Sequence, residues 1–355
     1  MELNLFGWNH SIEELFAPFA GEHIVPGRVT LEYQHIYRLQ TTDGEVLAKV
    51  TGKMRYQASG RVDFPVVGDW VAVLLDEGEG RAVIQAILPR RSKFSRKVAG
   101  SRTEEQVVAA NVDTVFLVSA LNQEFNVRRI ERYLATAWES GANPVIVLNK
   151  ADLCTDVQGR VRDAAATAPG VPVHAISCAE NRGLDALQRY LSEPGKTTAV
   201  LGSSGVGKST LINRFMGREV GRVNEVREGN DRGRHTTTHR ELMLIPSGGL
   251  IIDTPGMREL QLWEADDGVR DTFADVESLA GQCRFGDCRH ESEPHCAVRN
   301  AVREGTIDQG RYESYLKLQK ELAFLAGKDQ LHIRLARKDR EKKLCKLVKD
   351  IKKHR

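Results

Sequence analysis

No stretch of the 355-residue chain approaches the roughly 18 consecutive apolar residues of a membrane span, so the sequence offers no transmembrane segment. Met1 to Ala20 lack the basic start, apolar run and small-residue cleavage site of a secretory leader, which predicts a cytoplasmic address and no membrane partner. No internal repeat and no low-complexity linker interrupts the chain. Cysteines are few: Cys154, Cys178 and Cys345 stand apart, whereas Cys283, Cys288 and Cys296 cluster with histidines, a pattern that in a reducing compartment points to metal rather than disulfides. Apolar residues at 41% and charged residues at 28% suit a globular protein, and the length suits two or three cores rather than one.

Strong net charge is also missing, at +3 overall, but the balance is uneven. Arg334 to Arg355 hold eleven Lys or Arg against Asp339, Glu341 and Asp350, leaving the rest of the chain slightly acidic. Such a run is either a solvated helix face or a nucleic-acid contact.

Along the chain, a short amphipathic opening (Ile12, Leu15, Phe16, Phe19) precedes β-type segments at Gly27 to Gln40, Val46 to Val50, Trp70 to Leu75 and Ala82 to Leu88. Turn signals separate them, which predicts a small β-barrel. Apolar strands and helical stretches then alternate: Val112 to Ser119, Val127 to Ser140, Pro144 to Leu148, Val171 to Ile176, Gly183 to Leu191, Thr198 to Leu201 and Lys208 to Met216. This alternation predicts a mainly parallel sheet covered on both faces. Beyond Leu262 the strands stop, and a Cys/His cluster is followed by helical patterns, Tyr312 to Leu325 and then the basic tail.

Gly202-Ser203-Ser204-Gly205-Val206-Gly207-Lys208-Ser209 is a complete G-x-x-x-x-G-K-S that follows an apolar strand and, with Thr210 next in line, opens a helix. That context distinguishes a phosphate loop from a chance glycine-rich turn. Its N–H groups would turn toward a β-phosphate, Lys208 would span the β/γ-phosphates, and the Ser209 hydroxyl would ligate Mg²⁺. Asn149-Lys150-Ala151-Asp152 selects the base, because a carboxylate at Asp152 accepts from both N1–H and the exocyclic amine of guanine, and adenine offers no such pair. Lys150 can lie along the base plane, and Asn149 can tie this loop to the phosphate loop. Ile176-Ser177-Cys178-Ala179 occupies the place of the Ser-Ala loop that meets guanine O6, with Cys178 where Ala is usual.

Asp253-Thr254-Pro255-Gly256 ends a strand as D-x-x-G, with Asp253 directed at Mg²⁺ through water and the Gly256 N–H at the γ-phosphate. Before it lies Gly233-Arg234-His235-Thr236-Thr237-Thr238, whose hydroxyls can meet Mg²⁺; Thr237 is assigned, with Thr236 and Thr238 as alternatives. Met257 follows D-x-x-G where many GTPases place the glutamine that orients the attacking water. That task therefore passes to another group, and His235 is the candidate catalytic residue, the alternatives being an exposed or RNA-contacting histidine or a site completed by the partner. The motif order is permuted: Asn149 precedes Gly202 by 53 residues and Asp253 comes last. Moving the termini leaves the sheet intact, because packing depends on strands rather than chain ends.

Cys283-x4-Cys288-x-His290-x5-Cys296 supplies three thiolates and an imidazole, a closed tetrahedral set for one structural Zn²⁺, with His295 a competing ligand.

The permuted order, the Gly-Arg-His-Thr-Thr-Thr loop, Asp-Thr-Pro-Gly and the Cys/His spacing together resemble the ribosome-small-subunit-dependent circularly permuted GTPases, the RsgA or YjeQ family. The likeness extends to Val67-Gly68-Asp69-Trp70-Val71 and Ala109-Ala110-Asn111-Val112-Asp113. It implies a multidomain α/β chain: an N-terminal segment and OB-fold barrel over 1–92, a circularly permuted P-loop GTPase domain over 93–262, and a zinc-binding helical domain with a basic C-terminal helix over 263–355. It also implies GTP hydrolysis stimulated by the small ribosomal subunit during late maturation, with rRNA as partner and the chain a monomer. Barrel groove, Arg90-Arg91, Lys93, Arg96-Lys97 and tail all suit RNA. The competing readings are an RNA-binding scaffold that holds nucleotide with little catalysis, and a GTPase switch for a protein or membrane partner. Because the segment after Gly256 leads into the Cys/His module, that module is expected to move with nucleotide state.

Overall fold

The computed structural model describes residues 3–33, 35–75, 81–97, 105–123, 125–220, 240–253 and 266–324. Five strands form the barrel: β1 (Ile24–Tyr33), β2 (Ile36–Thr41), β3 (Gly44–Val50), β4 (Trp70–Leu75) and β5 (Arg81–Ile87). The meander β1-β2-β3 closes through parallel β3–β5 and antiparallel β5–β4 and β4–β1 pairings, the topology of an OB-fold. Val29, Tyr37, Leu39, Val71, Val73 and Ile84 alternate inward and fill it. The single segment predicted from Gly27 to Gln40 is instead a hairpin, β1 pairing antiparallel with β2 down to Tyr33↔Ile36, and its apolar content alone did not mark the reversal. Helix α1 (His10–Phe16), capped by Asn9, seats Ile12 and Phe16 with Leu3 against Trp70 and Leu88. A short helix α2 (Gly52–Gln57), capped by Thr51, follows β3.

A hairpin of β6 (Lys93–Lys97) and β7 (Glu105–Ala110) links the barrel to the second sheet. That sheet contains β8 (Thr114–Ala120), β9 (Asn143–Asn149), β10 (Val173–Ala175), β11 (Thr197–Gly202), β12 (Arg240–Leu244) and β13 (Leu250–Asp253) in the order β10-β9-β8-β11-β13-β12. All neighbours are parallel except β12–β13. β8 and β11 are apolar and buried nearly throughout because helices cover both faces. Helices α3 (Val127–Ser140) and α4 (Val157–Thr167) pack Ile130, Leu134 and Ala164 on one face. On the other, α5 (Asp185–Gln188) and α6 (Lys208–Met216) pack Leu187, Leu211 and Ile212. The helix predicted from Gly183 to Leu191 is thus only one turn long.

β12 also pairs with β1, Leu31 opposite Glu241 and Glu32 opposite Arg240, so barrel and second sheet form one continuous sheet. The C-terminal part is helical: α7 (Asp266–Thr272), α8 (Ala274–Ala280), α9 (Ala297–Arg303) and α10 (309–324). Val269, Phe273, Val276, Val298, Tyr315 and Leu318 make its core, to which Ala135 of α3 contributes.

Candidate guanine-nucleotide site and metal centre

The loop between β11 and α6 carries Gly202 to Ser209, on a strand central to the parallel sheet. Nucleotide sites in such sheets lie at the carboxyl ends of the strands, where this loop stands. Gly205 and Gly207 have φ of +76° and +97°, and a Cβ on Gly207 would sit 2.3 Å from Asn149 Nδ2, so the close approach of the two loops requires glycine. Lys208 Nζ donates to the carbonyls of Gly202, at 2.7 Å, and Ser203, at 2.5 Å, folding the ammonium back over the loop. Ser209 and Thr210 follow on the first turn of α6, and Ser204 stands at the loop's exposed tip.

Asn149 ends β9, which places it within reach of two loops. Its Nδ2 donates to Val206 O at 2.8 Å, and its Oδ1 accepts from the Cys178 N–H at 3.1 Å. The side chain is buried, so both bonds form in a low-dielectric setting and hold the 177–178 loop to the 202–209 loop. Lys150 adopts φ +64°, turning the chain so that Asp152 comes beside Ser177, whose hydroxyl donates to Asp152 Oδ1 at 2.5 Å. In the Ser177–Cys178 loop, expected from sequence to meet guanine O6, the Cys178 N–H is directed at Asn149. Burial pushes the Cys178 thiol up to about 11, so at neutral pH it is an uncharged small side chain. Its carbonyl accepts from Arg214 Nε of α6 at 3.2 Å, a contact sequence reasoning missed. Another is the 3.0 Å hydrogen bond between the Tyr133 and Ser203 hydroxyls, partners 70 residues apart with no motif between them.

Asp253 closes β13 beside β11. Burial raises its pKa above the ordinary carboxylate value, and the Lys208 charge offsets this only in part. A Ser209 hydroxyl and an Asp253 carboxylate are hard oxygen donors that fit Mg²⁺. His235, Thr237 and Gly256 lie outside the described residues, as does the basic tail from Arg334 to Arg355.

Cys283, Cys288, His290 and Cys296 bring one ligand atom each to within 4.8 Å of one another. The separations are 3.8 Å for Cys283 Sγ–Cys296 Sγ, 3.6 Å for Cys283 Sγ–His290 Nδ1 and 3.4 Å for His290 Nδ1–Cys296 Sγ. Tetrahedral zinc with Zn–S bonds of about 2.3 Å separates its sulfurs by roughly 3.8 Å, so the donor set fits the ion in type and spacing. His295, the competing ligand, is not one of the four that converge. His290 takes φ +61° to enter the cluster, its carbonyl accepts from Tyr312 Oη at 2.6 Å, and Cys296 Sγ accepts from the Arg299 N–H at 3.5 Å. The described cysteines are all free thiols.

Residues 87–263 match the family model described as RsgA GTPase. The chain is 47% identical over 353 residues to the small ribosomal subunit biogenesis GTPase RsgA of Opitutus terrae, covering 97% of this chain and 96% of that one. The chain belongs to the RsgA GTPase family. Another RsgA, from Methanosarcina acetivorans, is 41% identical over 99% of this chain and 93% of its own. Among solved structures, YjeQ from Thermotoga maritima superposes with a TM-score of 0.63 at 29% identity, covering 84% of this chain and 99% of that one. YloQ, described as a circularly permuted GTPase, gives 0.61 at 25% identity over 85% and 96%. The RsgA architecture of barrel, permuted GTPase sheet and Cys/His module thus spans the chain, matching the fold class expected from sequence. No helix among the described residues is long and apolar enough to cross a membrane.

Proposed function

We propose that the chain hydrolyses GTP to GDP and phosphate on the small ribosomal subunit and assists the particle's late maturation; its relatives are named small ribosomal subunit biogenesis GTPases. The observation that carries this reading is Asn149, whose one side chain binds both the phosphate loop and the Ser177–Cys178 loop, so that base and phosphate recognition form a single site. In it Asp152 reads the guanine edge, Lys150 covers the base, and Ser177 and Cys178 close the O6 side. Gly202 to Ser209 cradle the β-phosphate with Lys208 across β and γ, and Thr210 extends the loop into α6. Ser209, Asp253 and Thr237 hold Mg²⁺, which neutralises phosphate charge; Gly256 meets the γ-phosphate, and His235 holds the attacking water. The Cys/His module holds one structural Zn²⁺. The division into 1–92, 93–262 and 263–355, the rRNA contacts, the cytoplasmic location and the monomeric state belong to the same proposal.

Co-sedimentation with isolated ribosomal subunits tests it. A non-hydrolysable GTP analogue should retain the protein on the small subunit and GDP should release it. Retention independent of nucleotide, with no phosphate release above background, would favour the scaffold reading. His235→Ala should lower subunit-stimulated kcat and leave nucleotide affinity unchanged; an unaltered kcat would remove His235 from catalysis.

A further inference from the structure

Ser203 is held from two sides. Its carbonyl accepts from Lys208 Nζ within the loop, and its hydroxyl pairs at 3.0 Å with Tyr133 Oη, which arrives from another helix. Tyr133 is buried to 8% exposure on α3, among Ile130, Leu134 and Ala137 of the same core, so the phenol goes where the helix goes. The helix is itself fastened. Glu131, fully buried, accepts from Arg128 at 2.8 Å and from Arg311 at 3.1 Å, and Arg311 in turn holds Asp275 and the Thr272 carbonyl of the C-terminal module. Arg132 pairs with Glu321, and the Gly268 N–H donates to Glu139 Oε2 at 3.2 Å. A Cβ on Gly268 would meet Ala135 O at 2.1 Å, so α7 lies directly on the α3 backbone.

We propose that Tyr133 is a positioning residue for the phosphate loop, its hydroxyl setting Ser203 and thereby the turn that presents Lys208 to the nucleotide. The inference rests on reading residues 202–209 as the phosphate loop. A loop held this way is preorganised equally for GDP and GTP, so losing the contact costs ground-state and transition-state binding alike.

The test uses the full-length, metal-loaded chain, with fluorescent GDP binding and steady-state GTP turnover for Tyr133→Phe, Ser203→Ala and the double variant. Tyr133→Phe should raise the GDP Kd and the GTP KM by the same factor, about two- to tenfold, the range one hydrogen bond covers, with kcat unchanged. Ser203→Ala should do likewise, and the double variant should be no weaker than the weaker single. A wild-type Kd for Tyr133→Phe, or additive losses in the double variant, would overturn the proposal. A lower melting temperature with additive losses would mark Tyr133 as packing alone. Should Tyr133→Phe fold poorly, Ser203→Ala decides, since a wild-type Kd there refutes the contact's role. Lys208→Ala separates the two readings: if it binds nucleotide like wild type, the phosphate-loop assignment has failed, whereas abolished binding with an unaffected Tyr133→Phe defeats the positioning role alone.

Discussion

Asp152 and Arg28 make opposite cases at the scale of single residues. Asp152 was singled out in the sequence because guanine recognition would need a carboxylate at fixed spacing from Asn149; the structure sets it beside Ser177 on a strand-end loop, and its reading of the base is part of the proposal. Asp152→Asn should weaken GTP binding and admit xanthosine triphosphate, whose exocyclic oxygen accepts where the guanine amine donated; competition binding with GTP, XTP and ATP measures it, and an undiminished preference for GTP would remove Asp152 from base recognition. Arg28 was not legible, because its partners lie far away in sequence. It is buried in the barrel wall, where desolvation brings its pKa down to about 10, and it donates to the carbonyls of Phe6 and Asn111 and to Thr197 Oγ1, lying over Trp70. One guanidinium thus joins the N-terminal segment, the barrel and the root of β11. Arg28→Met leaves those acceptors without donors and should cost about 3 kcal/mol or more, read as a lower urea midpoint with an unchanged slope.

Elements with one dominant periodicity were read closely from sequence: α3, α6 and β4 run as expected, since each carries an uninterrupted apolar pattern and a clear cap or turn. The β6–β7 hairpin was missed because Lys93, Arg96 and Lys97 make the segment resemble a basic linker, and only cross-strand partners such as Arg96 and Gln106, hydrogen-bonded at 3.0 Å, show it to be a ladder. α7 and α8 were not foreseen, because α7 buries against α3 and α8 packs between α7 and α9, contacts no local signal carries. Within that contact, burial raises the pKa of Asp275, but the hydrogen bonds and charge of Arg311 outweigh it and hold the carboxyl below its usual value. A depressed folded pKa contributes stability that is complete above the unfolded value of about 3.9 and is lost as pH falls through the folded one. Asp275→Asn should therefore be less stable than wild type at about pH 6, with the gap closing toward about pH 3; a pH-independent gap in thermal midpoints would contradict the pairing.

For the whole molecule, permutation moves the chain ends without moving the strands, which is why motif order betrayed the topology while packing kept the sheet. Sequence reasoning expected the Cys/His module to be coupled through the segment after Gly256; residues 254–265 lie outside the described set, and what the structure adds is a module docked on α3 through Arg311, Arg132 and Gly268. Cys288→Ser should release zinc and loosen that module, since metal binding supplies much of a small domain's folding free energy. Free-protein GTP affinity should change little, because the module is mounted by α3 contacts outside the Cys/His cluster, while subunit binding and stimulated turnover should fall; unchanged stimulation in a zinc-free variant would make the module a passive appendage. The most direct measurement is GTP turnover against small-subunit concentration for wild type and Lys208→Ala. Wild type should show slow intrinsic hydrolysis that rises and saturates with subunits, and Lys208→Ala should stay flat. Turnover that ignores small subunits, or that rises equally in Lys208→Ala, would contradict a ribosome-stimulated GTPase acting through this site.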